Sequence, residues 1–241
     1  MQAMIFAAGL GTRLLPLTLT KPKALVEVGG KPMLWHVLMR LKGEGFEDIV
    51  INVHHLAPQI KDYLSANDNF GLNIRISDES SMLLDTGGAI KHAFTTPPAC
   101  PVLIHNVDIF SNANLKSLYH SNGINAATLL VSERTTHRHL LFDDDMSLVG
   151  WTNKKTGEVK SPTPSLNPDK CNHLAFSGIH ILSPTLIAEM QTWPDKFSII
   201  DFYLAKCSTF TIRGFVQPGL TLTDAGKPEA LETLNTELND K

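Results

Sequence analysis

Residues 3–23 read A-M-I-F-A-A-G-L-G-T-R-L-L-P-L-T-L-T-K-P-K, a short apolar run that ends in a glycine-rich loop. Continuous apolar character over 3–8, without alternation, predicts a strand buried on both faces, as in the parallel sheets of α/β proteins. At Gly9 and Gly11 the missing side chains allow the backbone to approach a phosphate chain closely. Thr12 adds a hydroxyl, and Arg13 a forked cation whose geometry suits phosphate oxygens. Pro16 and Pro22 stiffen the exit, so that Lys23 is held as a point charge near the same place. Two other phosphate motifs fail here. A dinucleotide fingerprint needs a third glycine where this chain has Leu14, and a P-loop needs Ser or Thr where Pro32 follows Gly30-Lys31.

Outward from this loop the pattern alternates. Helical spacing over 33–42 stops at Gly43 and Gly45. The pattern then predicts a strand at 48–53, a helix at 57–66, a strand at 72–77, a helix from about 87 to 94 and a strand at 101–108. A helix at 114–121 and a strand at 126–131 follow. Such alternation predicts an α/β fold: a Rossmann-like, mostly parallel central sheet with helices on both faces. The second half is less regular. It predicts a hairpin at 148–157, an exposed Pro-rich loop at 161–170 and a strand at 174–182. Short helices at 184–191 and 199–207, a strand at 210–215 and a closing helix at 227–235 complete it. No internal repeat is visible, and the reading predicts no appended repeat domain.

The 241 residues carry a net charge of −3 and are 43% hydrophobic, enough for a substantial core. No broad basic surface advertises nucleic acid or an anionic membrane, so positive charge must act locally. Three scattered cysteines (Cys100, Cys171, Cys207), with no C-x-x-C pair, fit a reducing compartment and argue against a disulfide framework or a zinc site. The apolar start is too short for a signal peptide or a membrane span. These features predict a cytoplasmic protein with no nucleic-acid or membrane partner; oligomeric state is not legible.

The segment A-A-G-L-G-T-R-L-L-P-L-T with P-K at 22–23 resembles the signature of the nucleoside-diphosphate-sugar pyrophosphorylases, and Pro32-Met33 matches the element that follows it. The likeness runs through most of the chain and is strongest to short bacterial members. It implies the nucleotide-diphospho-sugar transferase fold as a single nucleotidyltransferase domain over 1–241. A nucleotide-binding half would cover about 1–110 and a sugar-binding half about 111–241. It implies that Ala8, Gly9, Gly11, Thr12 and Arg13 hold a nucleoside triphosphate, and that Arg13 and Lys23 are the catalytic cations.

Residues 83–90, L-L-D-T-G-G-A-I, put two glycines at an expected helix start, where free amides can bond a base or a phosphate. By resemblance, Gly87 and Gly88 lie at the nucleobase, with Glu79 and Ser80 as further candidates. Asp108 follows a buried strand, where open α/β sheets bind ligands, and a carboxylate suits the hard Mg²⁺ ion. The resemblance makes Asp108 and Asp224 the Mg²⁺ ligands. One departure is that Val107 stands where the family has glycine before the aspartate. Ser177 and Gly178 match the strand that faces the sugar, while Lys154, Lys155 and Glu158 match the family's sugar-side Glu and Lys only loosely. The histidines at 54–55, 137 and 139 lack metal-motif spacing, and no G-x-S-x-G elbow exists.

The resemblance implies Mg²⁺-dependent transfer of a nucleotidyl group from a triphosphate to a sugar 1-phosphate, with release of pyrophosphate. UTP with N-acetylmuramate 1-phosphate leads. Mannose, heptose or glucose 1-phosphate, and CTP with phosphocholine, are the alternatives. A different class, a non-catalytic nucleotide-sugar-binding regulatory subunit, is kept open by Val107 and opposed by the intact Gly11, Arg13, Lys23, Asp108 and Asp224.

Overall fold

The first strand, β1 (Gln2–Phe6), is apolar on both faces because it is covered on both: Ala3, Met4 and Ile5 are fully buried. The structure, a computed structural model, describes residues 1–239. Strand β1 ends at Phe6, so Ala7 and Ala8 open the loop rather than close the strand. After the loop come β2 (Glu27–Val28) and β3 (Lys31–Pro32), a small antiparallel pair. Its two-residue turn, Gly29-Gly30, has φ of 57° and 73°, the left-handed geometry a tight hairpin demands. Helix α1 (Met33–Gly43) buries Met33, Leu34, Val37, Leu38 and Leu41, the one face that its spacing defines. Strand β4 (Asp48–Val53) is buried from its second residue on. Then α2 (Ala57–Ala66) leads to β5 (Asn73–Asp78), whose alternating burial marks a strand with one solvated side. Strands β1, β4 and β5 pair in parallel, with Met4 opposite Val50 and Val50 opposite Arg75.

The described chain divides into two compact units. The first holds residues 1–84, 104–112 and those from 221 on; the second holds 85–103 and 113–220. Helix α3 (Asp85–Ala93) belongs to the second. The chain re-enters the first along β6 (Val102–Asn106), which lies beside β1, and continues into β7 (Ile109–Ser111).

In the second unit α4 (Leu115–Ser121), capped by the Asn114 side chain, precedes β8 (Ala127–Ser132) and β9 (Arg138–Phe142). The predicted hairpin is β10 (Leu148–Asn153) with β11 (Glu158–Lys160). The long strand β12 (Asn172–Leu182) pairs antiparallel with both β9 and β8. Helices α5 (Pro184–Glu189) and α6 (Ile199–Lys206) are each capped by a serine, Ser183 and Ser198. Strand β13 (Ile212–Val216) returns parallel to β8. The chain closes in the first unit with β14 (Leu222–Asp224), antiparallel to β7, and α7 (Pro228–Asn239). The fold is α/β, with parallel pairing through its central strands and mixed pairing in the second unit. Among the described residues, no helix is long and apolar enough to cross a membrane.

Candidate active site

All the strongest candidates sit in the first unit, and the glycine loop sets their places. Ala7 leaves β1 with its N–H donated to Asn52 Oδ1 at 2.7 Å, and Asn52 in turn donates to Glu79 Oε1 at 2.8 Å. The second Glu79 oxygen accepts from the Leu84 N–H at 3.3 Å. All three links are buried, so the loop starts from a fixed point. Gly11 then turns left-handed at φ 66°, and its carbonyl accepts from the Leu14 N–H at 2.8 Å and from Thr18 Oγ1 at 2.9 Å. A Cβ on Gly11 would stand 2.7 Å from Thr18 Cγ2 and 3.0 Å from Lys23 Cβ, so glycine is required for both shape and conformation. Around Gly9 an added Cβ would meet nothing within 4 Å, which leaves that backbone open to a ligand. Thr12 is exposed at the next turn.

The loop delivers two cations to two carboxylates. Lys23 Nζ donates to Asp108 Oδ2 in a short hydrogen bond. Arg13 donates through Nη1 to Asp224 Oδ2 at 3.1 Å, while its Nη2 lies 3.9 Å from Asp108 Oδ2. Asp108 and Asp224 are brought together by backbone pairing. Ile109 opposes Asp224 across β7 and β14, and the Ala225 N–H donates to the Asp108 carbonyl at 2.9 Å. Gly226 completes the cluster. Its N–H donates to Asp224 Oδ1 at 3.0 Å, and a Cβ there would fall 2.7 Å from both Arg13 Nη2 and Lys23 Nζ and 2.8 Å from Asp108 Oδ2. Only a residue without a side chain lets Arg13, Lys23 and Asp108 approach the backbone this closely.

Burial acts to raise the Asp224 pKa, but the Arg13 hydrogen bond and charge, the Gly226 N–H and the Lys23 charge outweigh it and hold the carboxyl below its usual range. Asp224 is therefore ionised near neutral pH. Val107, the residue that departs from the family pattern, is buried, with its N–H on the Phe6 carbonyl at 3.1 Å. The core absorbs its extra side chain.

Among the described residues, no group of three or more His, Cys, Asp and Glu side chains is placed to hold a metal. Mg²⁺ does not require one. It is commonly held by one or two carboxylates, with substrate phosphates and waters completing its octahedron. Asp108 and Asp224, joined through the Ala225 N–H on the Asp108 carbonyl and sharing the Arg13 guanidinium, fit that description.

The other expected residues have partners of their own. Glu79 is buried and turned inward onto Asn52 and Leu84, and Ser80 donates its N–H to Asp78 Oδ1 at 2.9 Å. Gly87 and Gly88 lie inside α3, not ahead of it. Their amides both donate to the Phe197 carbonyl, at 2.9 and 3.2 Å, and a Cβ on Gly87 would fall 2.2 Å from the Phe197 ring. Packing against Phe197 therefore already explains glycine at 87. Ser177 and Gly178 form a bulge in β12: Gly178 has φ 79°, and Ser177 Oγ accepts from the Ile179 N–H at 3.1 Å. Lys154, Lys155 and Glu158 are exposed around the β10–β11 turn. Sequence reading missed three residues that build the site. Asn52 was signalled by one amide in the apolar run D-I-V-I-N-V; Thr18 and Gly226 stood within motifs already quoted, as L-T and D-A-G.

Comparison with known proteins gives the family. A family model described as nucleotidyl transferase matches residues 2–139. The chain is 32% identical to the N-acetylmuramate alpha-1-phosphate uridylyltransferase of Caulobacter vibrioides, over 95% of this chain and 93% of that one. It is 37% identical to the protein of the same name from Neisseria meningitidis, over 77% of each chain. Among solved structures, HddC from Yersinia pseudotuberculosis complexed with GMP-PN superposes with a TM-score of 0.78 at 25% identity, covering 98% of both chains. With the matched segment spanning the glycine loop, Lys23 and Asp108, the chain belongs to the nucleotidyl transferase family and is a nucleotidyltransferase.

Proposed function

We propose that the protein transfers a uridylyl group from UTP to N-acetylmuramate 1-phosphate, with release of pyrophosphate and a requirement for Mg²⁺. One observation carries the reaction class: Arg13 and Lys23, delivered by the glycine loop, meet Asp224 and Asp108 in one cluster packed against the bare backbone of Gly226. The choice of base and sugar is supported by the two uridylyltransferases to which the chain is similar along most of its length. The GMP-PN in the HddC structure favours a second reading, guanylyl transfer to another sugar 1-phosphate.

An oxygen of the sugar phosphate attacks the α-phosphorus, a new P–O bond forms, and the bond to the pyrophosphate oxygen breaks. A phosphate monoester is already ionised near neutral pH, so no general base is needed. Catalysis reduces to alignment and charge neutralisation. The open backbone at Gly9, the left-handed turn at Gly11 and the Thr12 hydroxyl would cradle the triphosphate, beginning at Ala8. Arg13 would neutralise the departing pyrophosphate, and Lys23 the attacking phosphate. Asp108 and Asp224 would hold Mg²⁺, whose contribution is positive charge against phosphate oxygens. Without substrate, Arg13 and Lys23 are paired with Asp224 and Asp108, the groups that would hold the ion.

Glu79 fixes the loop through Asn52. The placing of the base at Gly87 and Gly88, and of the sugar at Ser177 and Gly178, rests on the family resemblance. We read the chain as one nucleotidyltransferase domain, working in a reducing cytoplasm that its three free cysteines fit.

The test is pyrophosphate release from each of four nucleoside triphosphates against a panel of sugar 1-phosphates, with and without Mg²⁺. Release confined to UTP with N-acetylmuramate 1-phosphate and Mg²⁺ is expected. Release with GTP instead supports the second reading, and release without a divalent cation contradicts the metal assignment.

A further inference from the structure

Strands β7 and β14, which bring the two aspartates together, form a two-stranded ribbon of their own rather than part of the main sheet. Asp108 directly precedes β7, and Asp224 closes β14. A two-stranded pair is marginal by itself and needs anchoring from outside. At the Asp108 end the anchor is the Val107 N–H on the carbonyl of Phe6, the last residue of β1. At the other end it is α1, which lies in the same unit. His36 and Arg40 stand four residues apart, and therefore on one face of that helix, and both reach β7.

The His36 ring lies 5.2 Å from the Phe110 ring, centre to centre, and its Nε2 bonds the Val28 carbonyl at 2.7 Å. Arg40 does more. Its Nη1 donates to the Ser111 carbonyl in a short hydrogen bond, and lies 3.1 Å from Ser111 Oγ. Its Nε donates to Glu44 Oε1 at 3.4 Å, one turn further along α1, so the guanidinium is oriented from two sides. Only 23% of the side chain is exposed, and burial lowers its pKa against the opposing charge of Glu44. A cation placed there costs desolvation that a methionine of similar length would avoid. What the arginine adds is a hold on one residue of β7. Ser111 stands opposite Leu222, so the register it fixes runs on through Phe110 and Thr223 to Ile109 and Asp224. The Thr221 N–H, donated to Asn112 Oδ1 at 2.8 Å, closes the same end of the ribbon.

We propose that Arg40 is a positioning residue for this site: its hold on Ser111 fixes the ribbon, and so the places of Asp108 and Asp224 relative to Lys23 and Arg13. With Val107 tied upstream and Ser111 tied downstream, Asp108 is held from both sides; without Arg40 the ribbon loses its charged tie to α1. Arg40 touches no substrate in this account and acts only through β7. The inference rests on the reading of Asp108 and Asp224 as the groups that hold Mg²⁺. It adds a residue that the family signature does not contain.

The test reads metal affinity apart from turnover. Mn²⁺ stands in for Mg²⁺, and its binding is followed by electron paramagnetic resonance in the presence of UTP (or GTP, if the second reading holds) and without any acceptor. Arg40→Met should bind Mn²⁺ about 10-fold more weakly, the scale of one hydrogen bond to a charged group, while nucleotide binding measured without metal stays at the wild-type value. Turnover should show the same split, with more Mg²⁺ needed for half-maximal rate and kcat regained at saturating Mg²⁺. Ser111→Ala should weaken Mn²⁺ binding in the wild-type background and add nothing in Arg40→Met, because the two residues act as one contact. Unchanged Mn²⁺ affinity in a folded Arg40→Met, whatever its melting temperature, would show that the arginine only supports the helix, and would overturn the proposal. So would an equal loss of nucleotide and metal binding. Arg40→Lys keeps the charge and a simpler donor, and decides the matter if Arg40→Met does not fold. A smaller loss of the same kind is expected from it, and wild-type Mn²⁺ affinity overturns the proposal. A wild type that holds nucleotide but no Mn²⁺ contradicts the metal reading itself, and this inference with it.

Discussion

Asn52 and Glu79 form a buried hydrogen bond of 2.8 Å between adjacent parallel-strand ends, and through it the Glu79 carboxylate holds the start of the glycine loop. The Asn52 amide is used at both ends, because its oxygen accepts the Ala7 N–H. An apolar residue of similar size would leave a backbone donor and a carboxylate oxygen without that partner, both buried. Asn52→Leu should therefore cost about 3 kcal/mol in stability. Urea unfolding of the two proteins without ligands checks this. A loss below about 1 kcal/mol would mean that the loop is held by something else.

Gly226 offers the opposite case, a position whose substitution should harm function more than folding. A methyl group there enters the space between Arg13, Lys23 and Asp108. Two of those neighbours are long, flexible side chains that can withdraw. Gly226→Ala should thus melt within a few degrees of the wild type but release pyrophosphate about 100-fold more slowly, the scale of losing one oriented electrostatic group. Steady-state turnover beside a thermal melt separates the two effects. Unchanged turnover would remove Gly226 from the site.

The sequence disclosed the first unit best. Its strands β1 and β4 are buried on both faces and its helices have one apolar face each, so the periodicity of 2–66 is unambiguous. The cation and carboxylate positions were legible because the family signature fixes them, although their mutual distances depend on pairing between β7 and β14, each three residues long. Strands that short have no periodicity to read, and neither has the two-residue pair β2–β3. β9, R-H-L-L-F, carries no alternation to read, because four of its five residues are buried. Gly87 and Gly88 illustrate a different limit. Two glycines before a helical pattern suggest free amides, but Phe197, far along the chain, accepts both. Local sequence carries no sign of that partner.

Of the three buried histidines among the described residues, all held below their ordinary value, His180 and His105 should weigh most in how the fold responds to acid. Burial lowers His180 to about 3, and burial, partly opposed by the bond to the Asn106 carbonyl, lowers His105 to about 4. Both lie below the ordinary 6.5, so the unfolded chain binds more protons than the folded one between these values. Stability is therefore lost as pH falls below 6.5, by about 2 kcal/mol for each histidine at pH 5. His180→Gln, which keeps an acceptor for the Tyr203 hydroxyl, should lose the His180 share of the decline between pH 8 and 5, about 2 kcal/mol, whatever its absolute stability. Denaturant unfolding at several pH values checks this. An unaltered slope would show that His180 takes up its proton without unfolding.

Lys23 provides the most direct test of the account, because it joins the glycine loop to Asp108 and is assigned to the attacking phosphate. The measurement is kcat for pyrophosphate release by Lys23→Ala at saturating nucleotide, sugar 1-phosphate and Mg²⁺, on protein shown by circular dichroism to be folded. A fall of about two to three orders of magnitude is predicted, the scale of removing an electrostatic donor from a transition state. Turnover close to that of the wild type would contradict the assignment and move the chemistry away from this cluster.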